Sequence, residues 1–239
     1  LGKRPLVLLL LLAFSLLLGV AALYFFSSRY ASNSVGYIRR WFDVPAGRPA
    51  LANTRVQCPG ALFILPSAGL IGLLWDDPTA PYNLFSPHTG LDIFGAGEPG
   101  EDPVYAVYDG WLTRLESWYS TVIIRHDDPL APGRSIWTYY THMANREGTQ
   151  SFVAPAFPPG TSEQFVRQGA MLGYQGEYSP GRPIGLHVHF SIVTSDAGGA
   201  FRNEAQIANT LDPSPYFGMT LDNDVQPPRP IACATDAAS

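Results

Sequence analysis

The chain reads as an all-β domain preceded by one N-terminal transmembrane helix, and three observations predict it. Residues 5 to 26 run for 22 positions without a charge, and a helix that crosses a bilayer needs about 20 predominantly apolar residues. Past that run, short segments rich in β-branched and aromatic residues recur between turns of Gly, Pro and Asp. Almost no stretch of the remainder keeps a 3.6-residue period, which argues against a helical domain.

Lys3 and Arg4 precede the apolar run from Pro5 to Phe26. A cleavable secretory signal has a shorter apolar region, about 7–15 residues, and a small-x-small cleavage site. The run is too long for that, and no lipobox-like Cys follows it, so residues 1–26 are expected as an uncleaved anchor. Basic residues flank it on both sides, Lys3 and Arg4 before and Arg29, Arg39 and Arg40 after, so the positive-inside rule alone gives no clear orientation. Residues 27–57 mix Ser, Arg, Gly and Pro and read as a stalk with a short helix around Val35 to Phe42.

The domain is expected over 58–221, long enough for one core. Its strands are expected at Ala61–Leu65, Leu91–Phe94, Pro103–Val107, Trp111–Ser117, Thr121–Arg125, Ser135–Thr141 and Leu186–Val193. The tail, 222–239, is Pro-rich and polar and is expected to be disordered. The two cysteines, Cys58 and Cys233, lie at the two ends of this region. They are either a disulfide stapling those ends in an oxidising compartment or two unpaired thiols. There are no internal repeats, and oligomeric state is not legible.

From Trp41 onward the chain carries ten Arg and no Lys against 20 Asp and Glu, a net of −10. A nucleic-acid partner calls for the opposite sign.

Four of the five histidines fall in three short segments: His88-Thr-Gly-Leu-Asp92, Tyr139-Tyr-Thr-His142 and Leu186-His187-Val-His189-Phe-Ser-Ile192. Residues two apart on a strand share a face. His187 and His189 therefore project together, and Val188 and Phe190 point the other way, toward a core. Ser86-Pro87 is a turn signal and Gly90 permits a tight backbone, so His88 and Asp92 can converge on one ion. Imidazole nitrogens with a carboxylate suit zinc and would also accept other divalent first-row metals, and a hydrolytic zinc site takes three protein ligands and keeps one position open. Histidine is also the side chain best matched to proton transfer near neutral pH. Tyr82 is either a further hydrogen-bond donor or a packing residue. His126 ends a strand before an Asp-Asp-Pro turn and is expected to be exposed and structurally neutral.

The order and contexts of these segments resemble the M23 peptidases, the lysostaphin-like or LytM-type zinc endopeptidases that cut peptide bonds in bacterial peptidoglycan. The family pattern runs His-x-Gly-x-Asp, Ala-x-x-x-Gly, Tyr-x-His, a Gly-rich turn and His-x-His-Phe. Here those stretches are His88–Asp92, Ala106-Val-Tyr-Asp-Gly110, Tyr140-Thr-His142, Val166–Gly173 and His187-Val-His189-Phe190, within residues 61 to 195. The resemblance implies an antiparallel β-sheet with a groove over the metal, of the duplicated hybrid motif type. It further implies that His88, Asp92 and His189 bind Zn2+, with His142 and His187 as non-ligand catalytic histidines. The substrate it implies, peptidoglycan peptide, places the domain outside the cytoplasm on a single-pass membrane anchor. Two departures stand out. Gly185-Leu-His-Val-His189 replaces the frequent Pro-His-Leu-His, and the stretch from Gly148 to Gln164 is longer and richer in Pro than usual.

Two other readings are weighed. A catalytically silent member of the same fold, acting as scaffold or activator of another cell-wall hydrolase, is recognised by lost ligands, and here all five positions stand. A cupin-like metal enzyme places its His-x-His first, whereas here it comes last.

Overall fold

The computed structural model describes residues 3–29, 32–181 and 184–234; in the first of these stretches, side chains are described for 9–23. The chain divides into two compact units, Leu1–Ser32 and Asn33–Ser239. The first is helix α1, Lys3–Arg29, whose large apolar side chains between Leu9 and Leu23 are exposed. Among the described residues no helix is long and apolar enough to cross a membrane. The expected span from Pro5 to Phe26 extends past the described side chains at both ends.

The second unit is built on an eight-stranded sheet. Its strands are β1 (Leu70–Ile71), β2 (Leu91–Phe94), β4 (Gly110–Thr113), β5 (Val122–Asp127), β6 (Ser135–Thr141), β7 (Gln164–Val166), β9 (Val188–Thr194) and β10 (Thr210–Leu211). They lie in the order β1-β2-β9-β6-β5-β4-β7, with β10 also on β9. Strands β3 (Pro103–Tyr105) and β8 (Met171–Tyr174) form a separate pair. Every strand pairing is antiparallel, as the resemblance implies.

Alternation sets the two faces of the large sheet. Val188, Phe190 and Ile192 of β9 join Leu91, Ile93, Ile124 and Tyr140 in the main core, together with Val104 and Leu172 of the small pair. Full burial of a side chain such as Phe190 contributes roughly 1.5–3 kcal/mol. The opposite face carries Asp92, His189, Thr141, Ser191 and Tyr139, because these alternate with the core residues along β2, β9 and β6. One sheet thus holds a core on one side and the candidate site on the other.

Several expectations need correction. Residues 33–57, read as part of a stalk, belong to the compact unit. Helix α2 (Ser34–Asp43) falls where a short helix was expected, but it is packed: Trp41 is buried with Leu51, Leu70 and Phe94, and its Nε1 donates to the Gly95 carbonyl at 3.1 Å. The described part of the tail is ordered as well. Ile231 and Arg229 are buried, and the Asn53 side chain bonds both the carbonyl and the N–H of Ile231, at 2.7 and 3.0 Å. The polar composition misled because single large residues, rather than a periodic stripe, do the packing.

Ala61–Leu65 forms no strand. Phe63 and Leu65 are buried as alternation demands, but the backbone bonds run to Tyr216 and Val107, outside any ladder. Cys58 and Cys233 form a disulfide with 5.5 Å between their Cα atoms across 175 residues of sequence. A loop of that length gains much from closure in the chain-entropy account, typically about 2–4 kcal/mol.

His126 is also corrected: it is fully buried. On β5 it shares a face with Val122 and Ile124, both in the core. Its Nδ1 donates to the Asp109 carbonyl at 2.7 Å, and its Nε2 sits 2.7 Å from Thr138 Oγ1, whose hydroxyl donates to it.

Candidate metal centre

Antiparallel register assembles the site. Asp92 on β2 lies directly opposite His189 on β9, and His189 lies opposite Thr141 at the end of β6. His88 enters from the loop before β2, three residues earlier than Leu91. Gly90, between them, passes so close to the Phe190 carbonyl and Ser191 hydroxyl that any Cβ would overlap both, so the His-x-Gly-x-Asp spacing rests on a close backbone approach.

Three buried atoms meet at one point. His88 Nε2 is 3.0 Å from Asp92 Oδ1 and 2.9 Å from His189 Nδ1, and His189 Nδ1 is 2.9 Å from the same Oδ1. These residues form a cluster that could hold a metal ion. The outer nitrogens explain why. His88 Nδ1 donates to the Leu74 carbonyl at 2.8 Å, which fixes its proton there and leaves Nε2 as a bare lone pair. His189 Nε2 lies 2.8 Å from Ser191 Oγ, a hydroxyl able to accept its proton and free Nδ1 in turn. Two lone pairs and a carboxylate oxygen facing one another are a donor set for a cation, and outer-nitrogen bonds of this kind accompany metal-ligating histidines. Tetrahedral zinc with N and O ligands at about 2.0–2.2 Å sets neighbouring ligand atoms ~3.3 Å apart. The triangle needs to open only slightly, so the residues fit zinc.

His187 and His142 stand beside this triangle. His187 Nε2 is 3.6 Å from Asp92 Oδ1, its Nδ1 donates to the Gly185 carbonyl at 2.7 Å, and its ring stacks on Phe94 at 5.0 Å. His142 Nδ1 donates to the Tyr178 carbonyl at 2.7 Å. Its backbone adopts φ 75°, a left-handed conformation uncommon for a residue with a Cβ and associated with functional sites. The two rings are 4.6 Å apart. Each therefore spends one nitrogen on a carbonyl and presents the other.

Burial sets the local electrostatics. It lowers the pKa of His187, and that of His142 falls well below the usual value through burial and the neighbouring His187 and His189. Burial alone would raise Asp92, but positive charge on the neighbouring His88 and His187 holds its carboxyl well below the ordinary range. Burial opposes protonation of His88, but Asp92 and the Leu74 carbonyl outweigh it and raise its pKa.

The site lies between two lobes of an open cleft. One, of about 500 Å³, is lined by residues including Trp118, Tyr139, Tyr178 and Glu204; the other, of about 420 Å³, by residues including Val35, Ile38, Arg39 and Phe94. Tyr82 and His142 line both, and the Tyr82 ring packs 4.8 Å from that of His88. All five residues singled out in the sequence are thus brought together. Ser191 was missed, although its place two residues after His189 puts it on the same face. The carbonyls of Leu74, Tyr178 and Gly185 leave no side-chain signature to read.

No protein-family model matches the chain, and no curated protein matches it. Among solved structures it is similar to the antimicrobial peptidase lysostaphin from Staphylococcus simulans, with TM-score 0.37 and 21% identity over 56% of this chain and 46% of that one. The catalytic domain of a prophage-encoded M23 protein from Enterococcus faecalis gives TM-score 0.31 and 24% identity, over 49% and 76% of the two chains. A zinc-containing peptidase from Vibrio cholerae gives TM-score 0.34 and 18% identity, over 69% and 39%. The chain thus spans less than half the length of the lysostaphin it matches. Identities and TM-scores this low decide nothing about activity.

Proposed function

We propose that the chain is a membrane-anchored zinc metalloendopeptidase that hydrolyses peptide bonds of bacterial peptidoglycan. The observation that carries this reading is the buried His88–Asp92–His189 triangle with two further imidazoles, each anchored on a carbonyl, at its side. Bound there, zinc would supply a Lewis acid for the scissile carbonyl and an acidified water near neutral pH. Of His142 and His187, one accepts the proton of the attacking water. The other steadies the charge on the former carbonyl oxygen or delivers a proton to the leaving amine. A cleft open on both sides of the site suits a cut within a peptide network. The peptidoglycan substrate is what the resemblance of the motif order to the M23 peptidases implies. Purified peptidoglycan incubated with the full chain should release fragments whose masses correspond to hydrolysed stem or cross-link amides. Release of glycan fragments alone, or of nothing, would overturn the reading.

The anchor belongs to the same proposal. Helix α1 carries exposed apolar side chains from Leu9 to Leu23, and a helix apolar on all sides needs lipid or a core around it. With wall peptides as substrate, the remainder of the chain faces outward, so a C-terminal reporter active only outside the cytoplasm should signal. The full chain should also sediment with membranes. Signal from a reporter active only in the cytoplasm would refute this topology.

A further inference from the structure

We propose that Arg39 and Glu204 read opposite charges on the two sides of the bond cut. The preferred substrate is then a peptide with a free carboxylate in the α2 lobe and a free ammonium in the other. The inference rests on the peptidase reading above and adds the substrate's charge pattern to it.

The two lobes differ in character and meet at His142 and Tyr82. The smaller is walled by Val35, Ile38, Leu73 and Phe94, and among the described residues the one Arg or Lys side chain lining it is Arg39. Arg39 is exposed and makes no ion pair among the described residues. The lobe reaches Asp92 and His187, so whatever Arg39 holds is continuous with the site. Arg39 also sits on a fixed element: Trp41 anchors α2 through its bond to the Gly95 carbonyl. Phe42 packs edge-on against Phe94, 5.7 Å between centroids, and Phe94 stacks on His187. A guanidinium held at an apolar rim favours a carboxylate, to which it donates two parallel hydrogen bonds.

Among the described residues the larger lobe is lined by the hydroxyl-bearing Ser117, Ser120, Thr121 and Tyr178 and by one carboxylate residue, Glu204, whose side chain also hydrogen-bonds that of Tyr139. Glu204 is half-buried and makes no ion pair among the described residues. A negative group beside hydroxyls suits an ammonium, whose three donors they share. Among the described residues the cleft therefore carries a cation at one end and an anion at the other, with the metal triangle between them.

The test uses the full chain and synthetic peptides with one scissile amide, a free carboxylate on one side and a free ammonium on the other, made in both orders along the peptide. Amidating the carboxylate should raise KM of the wild type by about tenfold, the effect of a partly exposed charge-assisted contact, and leave kcat nearly unchanged. Arg39→Gln should raise KM for the free acid equally and be indifferent to amidation. Glu204→Gln should be indifferent to acetylation of the ammonium in the same way. Arg39→Glu should prefer a peptide with a cation in place of the carboxylate. Equal amidation ratios for wild type and Arg39→Gln would overturn the inference. Binding of labelled, uncut peptide to the metal-stripped chain keeps the two readings apart. Charge-dependent binding without cleavage by the metal-loaded wild type would remove the peptidase reading and leave the charge reading standing. Cleavage indifferent to both charges would remove the charge reading alone.

Discussion

Alanine at His142 or at His187 should leave about one zinc per chain in place and lower turnover by about 10²–10⁴-fold, the range of a lost general acid–base or oxyanion contact. Alanine at His88, Asp92 or His189 should instead remove the metal and the activity together. The distinction follows from distances. The inward atoms of His88, Asp92 and His189 lie 2.9–3.0 Å from one another, whereas His187 Nε2 stands 3.6 Å from Asp92 Oδ1 and His142 is tied to Tyr178. Losing any member of the triangle leaves two ligands, one short of the three that a hydrolytic zinc needs beside its open position. Losing a flanking imidazole leaves all three. Metal per chain after dialysis, measured alongside turnover, separates the two classes. A His187→Ala chain without zinc beside a His189→Ala chain that keeps it would reverse the assignment.

The site was legible because its rules are local. A His-x-His on a strand must place both rings on one face, and alternation put Val188 and Phe190 in the core as expected. A Gly between His88 and Asp92 marks a close approach that only the folded sheet explains, to Phe190 and Ser191. What failed was long-range. Residues 33–57 and the tail looked like linkers because the first mixes Ser, Arg, Gly and Pro without a sustained period and the second is Pro-rich and polar. Their order comes from isolated anchors: Trp41 against Leu70 and Phe94, Ile231 on Asn53, Cys58 with Cys233. None of these pairings has a period to detect. Arg39 and Glu204 were invisible for the same reason, since a helix outside the motif region and a loop past β9 supply the two ends of the cleft. His126 failed differently: the alternation with Val122 and Ile124 was present, but the Asp-Asp-Pro turn after it outweighed that signal.

His126 makes acid sensitivity a measurable property of the fold. Burial, with the nearby Arg125 adding to it and the Asp109 carbonyl opposing, lowers its pKa from 6.5 to about 4. The unfolded chain therefore binds this proton more readily than the folded one, and stability rises with pH wherever that holds. The contribution is fully present above about pH 6.5 and is lost as pH falls from there to about 4. A shift of that size corresponds to roughly 3 kcal/mol, a large share of the roughly 5–15 kcal/mol that holds a domain together. His126→Gln should weaken the fold at pH 8 by about 1–3 kcal/mol, because the Asp109 carbonyl and Thr138 hydroxyl lose well-placed partners. It should also flatten the decline of stability between pH 6.5 and 4 relative to wild type. Denaturant unfolding of both chains, stripped of metal so that the site histidines contribute equally, gives the difference at each pH. Parallel curves across that window would show that His126 stays uncharged in the unfolded state or is readily protonated in the folded one, and either outcome removes the linkage.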